Sequence, residues 1–398
     1  MLEKISNKIA PKSIVDALVT LYHQGNFEDV LSRSFLLVQQ YPDTAVLHNI
    51  LGAISFDKGK NDQAIKHFKK VISLKPCHPH AYNNLGVVLI RMQAYKEAKF
   101  NLKKAIELKP EYAEAYNSMG HALKFQNKFC EAMIAFNKAL SFNPNLISAI
   151  INKGDTYKDK GEIEKAISTY QKVLSVKPNF AEVHQNLSFA LLNSGRIKEG
   201  LEKYEWRWKI PNFVSENRNF LKPSWDGQKS LKDKTIFLWS EQGIGDTLNW
   251  SSGLLQITKQ AKHCILECQK KLVPLLKRSF PKIEVKAECR SLDLKRDDFD
   301  FHLPMGSLYR HFIQEILDSP KPKKFLTPDP YRVEFWKERL LLLGKGPFIG
   351  ISWKSSNMSL LRHHAYTQIS EWAPILRIPD MTFINLQYSN FDDDLFKI

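Results

Sequence analysis

The sequence predicts an α-helical solenoid followed by an α/β region that contains parallel sheets. Two observations carry this prediction. In the first half, a proline recurs every 34 residues, at Pro42, Pro76, Pro110, Pro144 and Pro178. In the second half, short apolar runs alternate with stretches of helical periodicity. The 398 residues are enough for two or three domains of about 100–200 residues each.

Four further slots recur in step with the prolines and describe a helical hairpin. A small residue stands at Gly52, Gly86, Gly120, Gly154 and Ser188, and a second one at Ala64, Ala98, Ala132, Ala166 and Gly200. An aromatic or large apolar residue stands at Phe68, Leu102, Phe136, Tyr170 and Tyr204, and a turn residue at Gly25, Gly59, Asn127, Gly161 and Gly195. Small residues let two antiparallel helices cross closely, and proline ends the second helix because it lacks an N–H donor. One hairpin cannot bury its apolar face alone, so neighbouring units must stack.

These slots closely resemble the tetratricopeptide repeat, and the resemblance covers residues 11–210 as about six units. It implies a concave groove that takes a protein or peptide as partner. The first unit is degenerate, with Val30 and Ser34 in place of the usual alanine and aromatic residue. The last unit has Arg207 at a usually small position. Atypical end units are typical of caps or junctions.

Three asparagines, Asn84, Asn152 and Asn186, occupy one equivalent position of the repeat, which Ile50 and Ser118 fill in other units. They resemble the asparagines that line the superhelix of O-linked N-acetylglucosamine transferases and hold peptide backbone. The resemblance implies a peptide-binding groove. The alternative is that these amides only satisfy hydrogen bonds on the helix surface.

Residues 211–233 have no clear period, and their prolines and glycine indicate a linker or docking segment. The aromatic-rich stretch YEWRW, Tyr204–Trp208, precedes this segment. We expect YEWRW to pack the last repeat helix on the next domain, and Trp225 to anchor the same junction.

Strands and helices alternate beyond the linker in two series. Apolar runs predict strands at residues 235–240, 263–268, 283–289 and 299–304, with helices between them. We therefore expect a Rossmann-like, doubly wound α/β domain over residues 234–328. A second series occupies residues 329–398, with strands predicted at 348–353 and 382–387.

The loop between the first strand and its helix, residues 241–247 (EQGIGDT), is the sharpest chemical signal. Gly243 and Gly245 let the backbone approach a ligand, and the helix start near Thr247 offers N–H groups to an anion. Asp246 lies beyond the carboxyl end of the strand, where open α/β sheets bind ligands. It is either a functional carboxylate or the N-cap of the helix. The loop lacks the third glycine of a dinucleotide-binding motif, which argues against a nicotinamide site.

The stretch LWSEQGIGDTLNWSSGLL resembles bacterial proteins that fuse tetratricopeptide repeats to a glycosyltransferase-like module, as do PSWDG, ILECQKKLVPLL, FIGISWK and FINLQYS. That module is similar to the heptosyltransferase group, whose GT-B architecture places two Rossmann-like domains across a cleft. The resemblance implies that Asp246 acts as general base on an acceptor hydroxyl. It also implies sugar transfer from a nucleotide sugar, as donor substrate and without a further cofactor, to a protein or glycan that the solenoid presents. Lys354 and Arg362 are candidates for binding the leaving diphosphate, or else are solvated loop charges.

The second Rossmann-like domain is expected to be incomplete. One βαβ unit alone takes about 30 residues, and a doubly wound half needs several strands. In the resembled group, a later stretch with acidic residues and histidine binds the donor phosphates, and this sequence does not contain it. Two interpretations stay open: a fragment of a longer glycosyltransferase, or a shortened relative that acts as a non-catalytic scaffold for protein–protein interaction.

Composition argues against several other classes. The net charge of +16 is spread over both halves without a basic block, so nucleic acid is not expected as a partner. No apolar run is long enough for a membrane span and no secretory signal is recognisable, so we expect a cytoplasmic protein. The five cysteines form no CxxC pair. Cys264 and Cys268 would share one face of a strand and His263 the other, so no metal site is expected.

Overall fold

The structure is a computed structural model that describes residues 9–211, 213, 217–241, 243–317, 324–344, 346–353, 367 and 369–387. These residues form two compact units, one up to Val173 and one from Leu174 onwards. Each unit is described by itself below.

Twelve helices form the repeats that the 34-residue spacing predicts. They are α1 (Lys12–His23), α2 (Phe27–Gln40), α3 (Ala45–Asp57), α4 (Asn61–Leu74), α5 (Pro79–Arg91), α6 (Tyr95–Leu108), α7 (Ala113–Lys124), α8 (Phe129–Phe142), α9 (Ile147–Asp159), α10 (Ile163–Val176), α11 (Ala181–Asn193) and α12 (Ile197–Tyr204). Odd-numbered and even-numbered helices are the first and second helices of successive hairpins. The predicted α-helical solenoid is therefore confirmed.

The small slot of each repeat is a point of close helix crossing. A Cβ atom built on Gly120 would lie 2.6 Å from the Phe136 ring, and one on Gly52 would lie 2.7 Å from Phe68. Gly86 and Gly154 meet their large partners in the same way. Real Cβ atoms do not approach other heavy atoms this closely, so the backbone itself packs on the large side chain. The predicted role of the small slot is confirmed.

The last repeat meets the same constraint with different residues. Ser188 replaces glycine in the small slot, and Gly200 replaces the alanine of the second helix. The Ser188 hydroxyl donates to the Gly200 carbonyl oxygen over 2.8 Å. A Cβ atom on Gly200 would lie 2.7 Å from the Leu192 side chain. The two helices of the last repeat thus still approach closely, at Gly200 instead of at the first small slot.

The turn between the two helices of a hairpin requires a residue with positive φ. Gly25, Gly59 and Gly161 have φ values of 81°, 74° and 79°, and Asn127 has 58°. The sequence pattern left the third repeat without a turn residue, but Gln93 fills it with φ of 61°. A residue with a Cβ atom in this region is strained by about 1–2 kcal/mol, so the stacked repeats impose this turn on the chain.

Within the first unit, the stack has an inner and an outer side. Each second helix packs on the first helix of the next repeat, and α3, α5, α7 and α9 also contact one another in succession. The second helices α4, α6 and α8 lie farther from one another. The first helices therefore lie on the inner side of the curve, as in other solenoids.

The α/β region contains six strands and six helices within the described residues. They are β1 (Thr235–Trp239), α13 (Ile244–Trp250), α14 (Leu254–Gln260), β2 (His263–Cys268), α15 (Val273–Ser279), β3 (Glu284–Ala287), β4 (Phe301–Pro304), α16 (Met305–Leu317), α17 (Pro330–Leu341), β5 (Phe348–Ile351), α18 (Ala373–Leu376) and β6 (Thr382–Asn385). Every predicted strand is present, and most are one to three residues shorter than predicted.

Two parallel sheets are formed. The larger has the order β3-β2-β1-β4, with β1 paired to β2 on one side and to β4 on the other. The smaller pairs β5 with β6. The larger sheet has the strand order of the first part of a doubly wound fold, which reverses direction between β1 and β4.

The two faces of β1 are covered in different ways. Ile236 and Leu238 lie in the main apolar core with residues of the neighbouring helices. Phe237 and Trp239 lie on the opposite face, because successive side chains of a strand alternate between its two faces. There Phe220 of the linker lies 5.4 Å from Phe237 between ring centroids, so the linker covers a face of the sheet.

The linker also extends the sheet edge. The backbone N–H of Trp225 donates to the carbonyl oxygen of His302 in β4 over 2.9 Å. The backbone N–H of His302 in turn donates to the carbonyl oxygen of Pro223. Trp225 packs on Phe312 and belongs to the main core of the α/β region. The expectation that Trp225 anchors the repeat junction is therefore wrong, because the linker carries it into the sheet core.

We predict that Gly120→Ala lowers the free energy of unfolding by about 1–3 kcal/mol, because the added methyl group must displace the Phe136 ring. Chemical denaturation of the full chain measures the effect. Ser141→Ala, on an exposed turn of α8, is the control and should change stability by less than about 0.5 kcal/mol. Equal stability of Gly120→Ala and wild type would show that the crossing is not tight.

Candidate functional site

The loop after β1 places Asp246 at the carboxyl end of the parallel sheet, as predicted. α13 begins at Ile244, with Gly243 as its N-cap residue, so Asp246 lies in the first helical turn. The interpretation of Asp246 as an N-cap is therefore wrong. Its side chain is exposed and makes no hydrogen bond or ion pair with any described residue. A carboxylate in the first turn is stabilised by the helix dipole.

The neighbouring residues hold this loop in shape without filling the space around it. The Thr247 hydroxyl lies 3.1 Å from the Gly243 carbonyl oxygen and 3.0 Å from Gln269 Oε1. Thr247 is buried, so it supports the loop from inside. A Cβ atom on Gly245 would meet nothing within 4 Å. The fold therefore leaves Gly245 open to an approaching group.

The crevice between the ends of β1 and β4 is filled by an ion pair. Glu241, the second residue after β1, is buried. Its carboxylate accepts a hydrogen bond from the backbone N–H of Gly306, which follows β4. A Cβ atom on Gly306 would lie 2.0 Å from Glu241 Oε1. Arg207, from the short 3₁₀ segment that follows α12, donates from Nε to Glu241 Oε2 over 2.8 Å and from Nη2 to Oε1 over 3.0 Å. Doubly wound sheets bind ligands at this position.

Arg207 is fully buried and every side of its guanidinium has a partner. Nη1 donates to Glu205 Oε1 over 2.8 Å, and Nη2 donates to the Ser307 hydroxyl over 2.9 Å. The guanidinium carbon lies 4.2 Å from the centroid of the Tyr204 ring. The Trp208 ring lies 5.7 Å from that of Trp239. YEWRW thus packs the last repeat helix on the sheet, as expected.

The other predicted phosphate-binding residues, Lys354 and Arg362, lie outside the described residues. Their roles stay predictions.

A second candidate site lies along the first helices of the first unit. Asn84 Nδ2 donates to Asn49 Oδ1 over 3.4 Å, and Asn152 Nδ2 donates to Asn117 Oδ1 over 3.0 Å. We call Asn49, Asn84, Asn117 and Asn152 the asparagine row. Each bond joins the first helices of successive repeats, and Asn84 and Asn152 are half-buried. Asn84 and Asn152 thus each have an asparagine partner that sequence reasoning missed.

The remaining predicted asparagine, Asn186, belongs to the second unit, is half-buried and has an interaction partner of its own. Sequence reasoning could have found the missed partners, because Asn49, Asn83 and Asn117 also recur at a spacing of 34 residues. Ser148 continues the contacts by accepting from Asn117 Nδ2 over 3.3 Å.

One titratable group lies close to the asparagine row. His121, on α7, packs on the Phe125 ring at 4.7 Å between centroids. Burial, with a smaller effect of Lys124, lowers the pKa of His121 to about 4. His121 is therefore neutral at pH 7 and adds no charge to this side of the stack.

No group of three potential metal ligands comes together within the described part of the chain. Cys264 and Cys268 are buried in the core, whereas His263 is half-buried on the other face of β2. Burial raises the pKa of both thiols to about 12. Such thiols are poor metal ligands, because the thiolate is the binding form.

Comparison with known families identifies the type of repeat. Residues 52–93 and 154–195 match a family described as TPR repeat, and residues 79–112 and 113–146 match one described as tetratricopeptide repeat. The amino-terminal solenoid is built of tetratricopeptide repeats. Tetratricopeptide arrays are suited to protein–protein interaction, and the chain carries one.

Curated relatives and solved structures resemble parts of this chain. Protein FlbA of Caulobacter vibrioides is 31% identical over 213 residues, which are 49% of this chain and 35% of FlbA. The peroxisomal targeting signal receptor of Candida albicans is 32% identical over 80 residues, 20% of this chain and 14% of the receptor. A crystal structure of MamA protein is 28% identical, with a TM-score of 0.34, over 42% of this chain and 98% of MamA. The chain spans about a third or less of the length of these curated relatives.

None of the helices in the described residues has the length and apolar character needed to cross a bilayer.

We predict that Arg207→Ala lowers the free energy of unfolding of the second unit by about 3–5 kcal/mol, because it leaves Glu241 buried without its counter-charge. Thermal and chemical denaturation of the full chain provide the measurement. Lys337→Ala removes an exposed ion pair with Glu334 and should cost less than about 1 kcal/mol. A small effect of Arg207→Ala would mean that the pair contributes little.

Proposed function

We propose that this protein is an interaction scaffold that holds an extended segment of a partner protein along the asparagine row. The observation that carries the proposal is the pairing of asparagine amides between successive first helices. An amide offers one donor group and one acceptor, as does each peptide unit of a bound strand.

The spacing of the row suits an extended chain. Packed helices lie about 8–10 Å apart, and an extended strand rises about 3.3 Å per residue. One repeat therefore accompanies about three residues of the bound segment. In Asn152, one N–H bonds to Asn117, and its Oδ1 has no partner among the described residues. Contacts of this kind recognise the backbone of the bound segment and not its side chains, so the scaffold would tolerate varied sequences.

One relative supports this proposal by its name. The matched part of the peroxisomal targeting signal receptor covers 80 residues, and the name of that protein states that it recognises a targeting signal. A comparable role for the present repeats is recognition of a protein segment.

We predict that Asn152→Ala weakens peptide binding about tenfold, the loss expected for one or two hydrogen bonds. Phage-displayed random dodecapeptides are selected on the immobilised full chain, and the affinities of selected peptides are then measured by calorimetry. Asn101→Ala removes an exposed amide from α6 and should leave the affinities unchanged. Failure to select peptides, or equal binding to both variants, would contradict the proposal.

Glycosyl transfer is the second candidate function, and the exposed Asp246 carboxylate favours it. In this proposal Asp246 takes the proton from an acceptor hydroxyl as the oxygen bonds to the anomeric carbon of a nucleotide sugar. The bond from that carbon to the diphosphate oxygen breaks, and the nucleoside diphosphate leaves. Gly245 would leave room for the substrate, because nothing lies within 4 Å of a Cβ atom there.

We predict that Asp246→Asn lowers release of nucleoside diphosphate from nucleotide sugars by about 10²–10⁴-fold, the contribution of a general base. Each of a panel of nucleotide sugars is incubated with the full chain, and an extract of the cells that naturally contain the protein supplies the acceptor. Asp297→Asn, which changes an exposed carboxylate elsewhere in the unit, should keep the wild-type rate. Absence of release by wild type would reject this function and leave the scaffold proposal untouched.

A further inference from the structure

A groove opens between the second helices α6 and α8, on the side of the stack opposite to the asparagine row. Its volume is about 740 Å³, within the range of ligand-binding clefts. Ile106 and Met119 contribute to its floor, and Ile134 stands at its wall with 70% of its surface exposed. An exposed isoleucine at the edge of a cleft is typical of a contact site.

Lysines form the rim of this groove. Lys99, Lys103 and Lys138 line it, and neither Lys99 nor Lys103 makes an ion pair with any described residue. The ammonium of Lys138 lies 4.6 Å from the centroid of the Phe142 ring. The acidic residue of the rim, Glu131, already lies 3.7 Å from Lys128. The rim therefore carries positive charge that the protein itself does not neutralise.

The charge of the repeats is divided between the two sides of the stack. The second helices α4, α6, α8 and α10 contain ten lysines and five acidic residues. The first helices α3, α5, α7 and α9 contain four basic and four acidic residues. A one-sided positive potential steers acidic partners to the second helices.

We infer that this groove, which we call the lysine-rimmed groove (Lys99, Lys103, Ile134 and Lys138), binds an acidic segment of a partner protein that carries an apolar anchor residue. Charge complementarity selects the acidic segment, and the apolar floor selects the anchor. A recessed floor favours a peptide side chain over a flat membrane surface. This surface is separate from the asparagine row, so one chain can hold two partners.

The test uses the labelled full chain on an array of synthetic peptides of random sequence. We expect bound peptides to combine Asp or Glu with one large apolar residue, and binding to weaken as salt rises. The double variant Lys99→Glu/Lys103→Glu should bind these peptides at least about tenfold more weakly, a change of about 1.4 kcal/mol. Ile134→Ala should weaken binding and keep the salt dependence.

Matched variants separate this inference from the proposed scaffold function. Lys75→Glu/Lys96→Glu makes the same charge change on exposed positions outside the groove and should retain binding. Asn152→Ala should also retain it. Binding that does not depend on acidic residues, or that falls equally in both lysine variants, overturns the inference. The inference is also overturned if the chain binds phosphatidylserine vesicles but no peptides, and Lys99→Glu/Lys103→Glu abolishes that binding. Such a result would identify a membrane surface as the partner. Thermal melts check that each variant is folded.

Discussion

The absence of a Cβ atom where two helices cross determines the geometry of the four central repeats. At Gly120 the ring of Phe136 occupies the space that a side chain would need, and the same contact recurs every 34 residues. Once the hairpin has this shape, its apolar face requires a neighbour, and the stack follows. The stack has an inner side, which carries the asparagine row, and an outer side, which carries most of the lysines of these repeats. In the last repeat, a hydrogen bond from the Ser188 hydroxyl to the Gly200 carbonyl oxygen joins the two helices instead.

The repeats and the strands could be predicted because their signals are local. Thirty-four-residue spacing, helix-ending prolines and apolar runs each report on a few neighbouring residues. Contacts between distant segments left no such signal. Phe220 covers Phe237 on a sheet face that helices usually cover, and Trp225 enters the sheet core through a bridge to β4. Gln93 adopts a glycine-like turn because its repeat neighbours impose it, not because its own preference favours it.

The candidate sites also differ in whether their signals in the sequence are local. The position of Asp246 at a strand end follows from the order of strand, glycine loop and helix, so sequence reasoning placed it in the right loop. The pairing of Asn84 with Asn49 joins residues in neighbouring repeats, and a search at one slot of the repeat could not reveal it. Arg207 was recognised only as an exception in a usually small slot. Its role depends on Glu241 and Ser307, which are 34 and 100 residues away along the chain.

Arg207 and Glu241 join the last repeat to the sheet at the position where a doubly wound fold exposes its ligand-binding crevice. A buried pair with two charge-assisted hydrogen bonds leaves little space there, and removing one partner is costly. A ligand of the loop after β1 must therefore contact the exposed side of the loop, where Asp246 and Gly245 lie, and not the space between β1 and β4. The segment that closes this crevice follows directly on the last repeat helix, so a partner that shifts α12 would also act on Glu241. One guanidinium group thus links the end of the last repeat to the loop after β1 within the second unit.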